Sequence, residues 1–189
     1  MLDNKTEKIE PLRKRFSKYL LNTIEQLYRE GAKDEEFVAK IIEETLGGSC
    51  EKASRYEDGY KHIDIWWNSP KGDRLGIDVK GLKRNTRSDK EYDDSIHWIE
   101  FINKSGNKGW LYGDADYIAF RTNTKILFLK REKLQNVMEE RIDGKETVYQ
   151  CPKECYVPYQ RRAWKGYDKI IKVPTKDLEE IMQFSINLT

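Results

Sequence analysis

The chain has 189 residues, enough to bury a core of its own, and 36% of them are charged against 12% aromatic, a balance that suits a folded domain with a polar surface. Its formal net charge of +2 is too small to point to a partner, so only local clusters of charge can do so. No apolar run is long enough to span a bilayer, and "MLDNKTEKIEPLRKRF" lacks the apolar region of a signal peptide, which predicts no membrane association and a cytoplasmic setting.

In chain order, Leu12, Phe16, Tyr19, Leu20, Ile24 and Leu27 repeat at helical spacing behind Pro11. They predict an amphipathic helix within residues 1–30, stopped by Gly31 and packed on a single domain made by residues 31–189. A second helix follows, with Asp34 as its N-cap, a stripe of Phe37, Val38, Ile41, Ile42 and Leu46, and a stop at Gly47-Gly48. "HIDIWW" and "LGIDVKG" read as two strands joined by the turn "NSPKGD". The polar stretch from Leu82 to Ile96 reads as loop or ragged helix. "HWIEFI" and "GWLYG" predict a second hairpin around "NKSGNK", and "DYIAF" and "KILFLK" predict strands around "RTNT". "REKLQNVMEERI" predicts a helix, "KIIKV" a strand, and "TKDLEEIMQF" a final helix. Helices around a mixed central sheet, α/β in class, are expected. Three cysteines (Cys50, Cys151, Cys155) make an odd set, and the wide spacing of the last two does not suit the usual zinc pair, so reduced thiols are expected.

The first strand pair carries charges where a buried strand should refuse them. Asp64 sits between Ile63 and Ile65, and Asp78 between Ile77 and Val79. Side chains alternate along a strand, so Asp78 and Lys80 share one face, about 6–7 Å apart, and His62, Asp64 and Trp66 share a face of the other strand. If the two strands pair, both carboxylates can converge with the ammonium beside them. Two hard oxygen donors suit Mg²⁺, which uses few carboxylates and keeps several waters. The same charges would also fit the solvent face of an antiparallel hairpin.

Asp64 followed by "IDVK" resembles the motif of the PD-(D/E)xK nuclease superfamily: an acid, a gap, then acid-x-Lys. The resemblance covers about Gly31 to Phe120 and implies a restriction-endonuclease-like mixed sheet flanked by helices. It puts Asp64 and Asp78 in the place of the two acids and Lys80 in that of the lysine. Mg²⁺, with Mn²⁺ able to substitute, would be held by Asp64, Asp78 and the backbone carbonyl of Val79. The family's helix before the hairpin often supplies another acid, and "DEEFVAKIIEETLGG" is similar to it. Glu35 shares a face with Val38 and Ile42, which places it better than Glu36, although an acid in a helix's first turn also answers to the helix dipole. Ile63 stands where the family has a proline.

Other residues carry weaker signals. Glu100 could reach the same edge of the sheet, and His62 and His97 are the two histidines available as general bases. Lys83, Arg84 and Arg87 follow the Asp78–Lys80 strand directly. A second cluster, Arg161, Arg162 and Lys165, is interleaved with Tyr159, Trp164 and Tyr167. Cations mixed with aromatics suit a phosphate backbone. The expected activity is hydrolysis of DNA phosphodiesters by Mg²⁺-activated water, on duplex or branched DNA, with a homodimer as one assembly open to it. The alternative is a non-catalytic nucleic-acid-binding module that retains the fold.

Overall fold

The computed structural model describes residues 31–82, 91–163 and 166–188, with the backbone alone for 161–163, so the helix expected within 1–30 lies outside the described residues. Helix α1 runs over 31–46. Asp34 is not the N-cap expected, because Gly31 to Asp34 are already helical; the stop expected at Gly31 turns on residues outside the described ones. Asp34 is engaged across the fold instead: its carboxylate pairs with Arg121. The helix ends where its glycines predict, at Gly47 and Gly48, whose φ of 74° and 83° would strain any residue with a side chain.

In chain order the strands are β1 (Ser49–Lys52), β2 (Ile65–Asn68), β3 (Arg74–Lys80), β4 (Ile96–Ile102), β5 (Tyr117–Arg121), β6 (Lys125–Lys130), β7 (Tyr159–Ala163), β8 (Gly166–Pro174) and β9 (Phe184–Asn187). Helix α2 (Arg131–Ile142) follows β6, and α3 (Thr175–Ile181) follows β8. One sheet has the order β1-β2-β3-β5-β6-β9 and the other β4-β8-β7. β3 and β5 are parallel, and the other neighbours in the larger sheet are antiparallel, so that sheet is mixed. The β2–β3 hairpin turns where "NSPKGD" predicts, with Ser69 N–H donating to Asp73 O at 2.8 Å.

The chain crosses from β3 to parallel β5 through β4 of the second sheet. β4 was expected to pair with "GWLYG". That hairpin closes only briefly, with Gly109 N–H on Phe101 O at 2.9 Å, before Trp110–Tyr112 turn into a 3-10 helix. Trp110 and Leu111 are thereby buried, and β4 takes its ladder from β8. The last helix is shorter than expected, since Phe184 opens β9 on the edge of the larger sheet.

The two faces of the larger sheet bury different partners. Ile65, Ile77, Val79, Ala119, Ile126 and Phe128 pack with Val38 and Ile42 of α1. On the opposite face Ile118, Phe120, Leu127 and Leu129 pack against the second sheet and against α2 and α3. The protein is therefore a mixed α/β fold with a mixed sheet flanked by helices. No helix among the described residues is long and apolar enough to cross a membrane.

Candidate functional site

Because Ile77 and Val79 are committed to α1, alternation turns Asp78 and Lys80 to the opposite face, above the layer of Trp110, Ile118 and Phe120. Asp64 arrives there by a different route from the one expected. "HIDIWW" is not one strand: β2 begins only at Ile65, and His62 before it has a left-handed φ of 54°. Ile63 and Ile65 fall in different cores, so alternation is broken at Asp64. Gly76 makes this fit, since a Cβ there would lie 3.1 Å from Ile63 Cδ1. Asp64 N–H donates to Ile77 O at 3.0 Å, and Asp64 Oδ2 accepts from Val79 N–H at 2.7 Å. The carboxylate thus caps the backbone of β3 one residue from Asp78.

Asp78 is 1% exposed, and Lys80 Nζ pairs with its Oδ1. The ammonium also lies 4.6 Å from the centre of the Trp110 ring. Asp78 Oδ2 is buried with no hydrogen-bond donor. Burial pushes the Asp78 pKa well up; the charge of Lys80 opposes this, while the charge and hydrogen-bonding contact of the Asp64 carboxyl add to it. Burial alone would lower the pKa of Lys80, but the charges of Asp78 and Asp64 outweigh it and leave that pKa raised. Lys80 is therefore a fixed cation at neutral pH and not a base.

Two carboxyls that feel each other's charge, one with an oxygen no donor reaches, bind a proton or a hard cation better than either would alone. Among the described residues no three His, Cys, Asp or Glu side chains form a ready ligand set. A cation here would rest on Asp64, Asp78 and oxygens of the backbone or of water, and the donor set fits one.

Glu35 accepts from Lys52 Nζ at 2.8 Å, and Lys52 in turn feels the charges of Asp58 and Asp64, which places Glu35 at the rim. Glu36 is exposed. Glu100 lies within electrostatic reach of Lys80; burial raises its pKa and Lys80 opposes the rise. His97 is 1% exposed and packs its ring on Phe120 at 4.8 Å between centroids, a core position. His62 stands at the site, its pKa lowered by burial first and by Lys80 next, so it is neutral near pH 7. Lys83, Arg84, Arg87 and Lys165 lie outside the described residues, and for Arg161 and Arg162 the backbone of β7 alone is described.

Sequence reasoning missed two neighbours of the site. Asp58 feels the charges of Asp64, Lys52, Lys80 and His62. It sits on a π-helical turn (Glu57–Lys61) that has no periodicity to betray it. Trp110 reads in sequence as a core aromatic, and it is one, but its ring also faces Lys80. No family model matches this chain, and no curated protein or solved structure does either.

Proposed function

We propose that the chain is a metal-dependent nuclease of the PD-(D/E)xK type, with a restriction-endonuclease-like fold, that hydrolyses DNA phosphodiester bonds. The observation that carries this reading is the convergence of Asp64, held on the Val79 N–H, with Asp78 beside Lys80, and the burial of Asp78 Oδ2 without a donor. A protein does not leave a buried acceptor unpaired without cost, and an ion held by both carboxylates would remove that cost. Asp64 and Asp78, with the carbonyl of Val79, would hold Mg²⁺ or Mn²⁺. Such an ion supplies positive charge at the phosphate and favours deprotonation of a water there.

The remaining roles belong to the chain itself. Lys80 keeps its proton, so it orients the attacking water or the phosphate and offsets charge that develops in the transition state. Its position is set twice, by Asp78 and by the Trp110 ring. Asp64 orders the strand end by taking Val79 N–H, which holds the two carboxyls in register.

The test is cleavage of plasmid, linear and branched DNA by the purified protein, with and without Mg²⁺ or Mn²⁺. Asp78→Asn is nearly isosteric and should lower the single-turnover rate by about a hundredfold or more, the order found when one charge-stabilising group is removed. Cleavage by the variant at the wild-type rate would overturn the site. Binding of DNA by the wild type with no metal-dependent cleavage would instead favour the non-catalytic module.

A further inference from the structure

On the turn that leads into Asp64 stand two aromatic rings that the fold does not bury. Tyr56 and Tyr60 are 62% and 79% exposed, and they stack on each other with centroids 5.1 Å apart and ring planes 29° apart. A single exposed aromatic is ordinary. A stacked pair held out from the surface is a flat π face that the chain leaves uncovered.

The turn that carries them is fixed. Glu57 Oε2 accepts from Ser54 N–H at 2.9 Å and from Ser54 Oγ at 2.7 Å, and Glu57 Oε1 accepts from Trp66 Nε1 at 3.1 Å. Asp114 N–H donates to Lys61 O at 2.7 Å, and Ile63 N–H to Glu57 O at 3.2 Å. Tyr60 lies on the π-helical turn, which runs through His62 and Ile63 directly into Asp64. Asp58, on the same turn, feels the charges of Asp64 and Lys80, which puts the turn next to the site. Of the charges on and near this turn, Arg55 is exposed and Lys61 half-buried, while Glu57 is engaged by Ser54 and Trp66, Lys52 pairs with Glu35, and Asp58 is exposed.

We infer that Tyr56 and Tyr60 form a stacking platform for unpaired bases of the DNA strand whose phosphate lies at Asp64 and Asp78, an inference that rests on the nuclease reading for its substrate. Every base presents a π face, so stacking on a tyrosine is tolerant of sequence. Inside a duplex both faces are covered by neighbouring base pairs, and a blunt end exposes only the outer face of its last pair, so unpaired bases are the ones that can lie freely on the two rings. The substrate class is then DNA with a single-stranded segment beside the cut, and not continuous duplex.

The experiment uses the full chain in Ca²⁺, with single-stranded DNA, blunt duplex and duplex carrying a single-stranded tail, each labelled with 2-aminopurine. Single-stranded and tailed DNA should bind more tightly than blunt duplex, and binding should quench the fluorescence. Tyr56→Ala with Tyr60→Ala should weaken binding of both by about tenfold or more and abolish the quench, while blunt duplex changes by less than about threefold. Tyr56→Phe with Tyr60→Phe keeps the π faces and should bind as the wild type does. Exposed rings carry little of the fold, so melting temperatures should agree within a few degrees. Unchanged single-strand binding by the alanine variant, or an equal loss for all three DNAs, would overturn the platform. Cleavage in Mg²⁺ separates the two claims: a wild type that cuts while its alanine variant binds normally keeps the nuclease and loses the platform. A wild type that never cuts, but loses single-strand binding with the rings, does the reverse.

Discussion

Asp78 concentrates the electrostatic cost of the site in one residue. Its folded pKa is held well above the ordinary carboxylate value, by burial first and by Asp64 as well, with Lys80 opposing. A carboxyl raised in this way contributes its stability in full below its unfolded pKa of about 3.9, and loses it as the pH rises through the folded value. Asp78→Asn stays neutral and escapes that loss. In melts without divalent metal, the variant should therefore gain on the wild type as the pH rises above about 4. A difference that stays constant with pH would mean that Asp78 is not the group under strain. The same sign predicts tighter metal binding as the pH rises, since a proton and the cation compete for one place. The short motif Asp78-x-Lys80 was legible in the sequence because alternation along a strand is a local property. The burial that gives it an abnormal pKa is not local.

At the scale of elements, α1 and β3 meet with no room to spare. A Cβ on Gly81 would fall 1.7 Å from Asp34 Oδ2 and 2.5 Å from its Cγ. Asp34 cannot swing aside without leaving Arg121, whose guanidinium also covers the Phe37 ring at 4.1 Å. Gly81→Ala should therefore destabilise the protein by about 1–3 kcal/mol, as overpacking usually does. Combining it with Asp34→Ala should recover part of that loss relative to Asp34→Ala alone, because the clash is then gone. Urea unfolding of the four proteins closes the cycle, and strict additivity would rule the contact out as the cause. Glycine at 81 was visible in the sequence only as the end of a strand, and Asp34 only as a helix cap. Their contact joins residues too far apart in sequence for any local pattern to report.

The whole molecule decides whether the two acids meet at all. Asp64 precedes β2 and Asp78 lies within β3; the hairpin brings them close, while α1 on one face and the second sheet with α2 and α3 on the other hold that hairpin in place. The unfolded chain has no such site, so a divalent cation should stabilise the folded state alone. At ten times its dissociation constant, Mg²⁺ should add about 1.4 kcal/mol and raise the melting temperature by roughly 3–6 °C. Asp64→Ala should show a much smaller rise. Equal shifts in the two proteins would place the ion elsewhere.

By itself the sequence determined the elements whose signal is local. "REKLQNVMEERI" is helix α2 from end to end, the α1 stripe of Val38 and Ile42 is buried, and "NSPKGD" turns the hairpin that carries Asp78 and Lys80. Periodicity tells which side of a segment is buried, but not what buries it. For that reason the sequence does not report that β4 pairs with β8, nor does it mark the short polar strands β1 and β7. Only the tertiary structure decided how Asp64 reaches Asp78. It does so by leaving the strand alternation at Ile63, over a glycine that yields the space, behind a histidine in left-handed conformation. Such a departure is stable only where packing on both sides supports the backbone hydrogen bonds that a regular strand would otherwise have made.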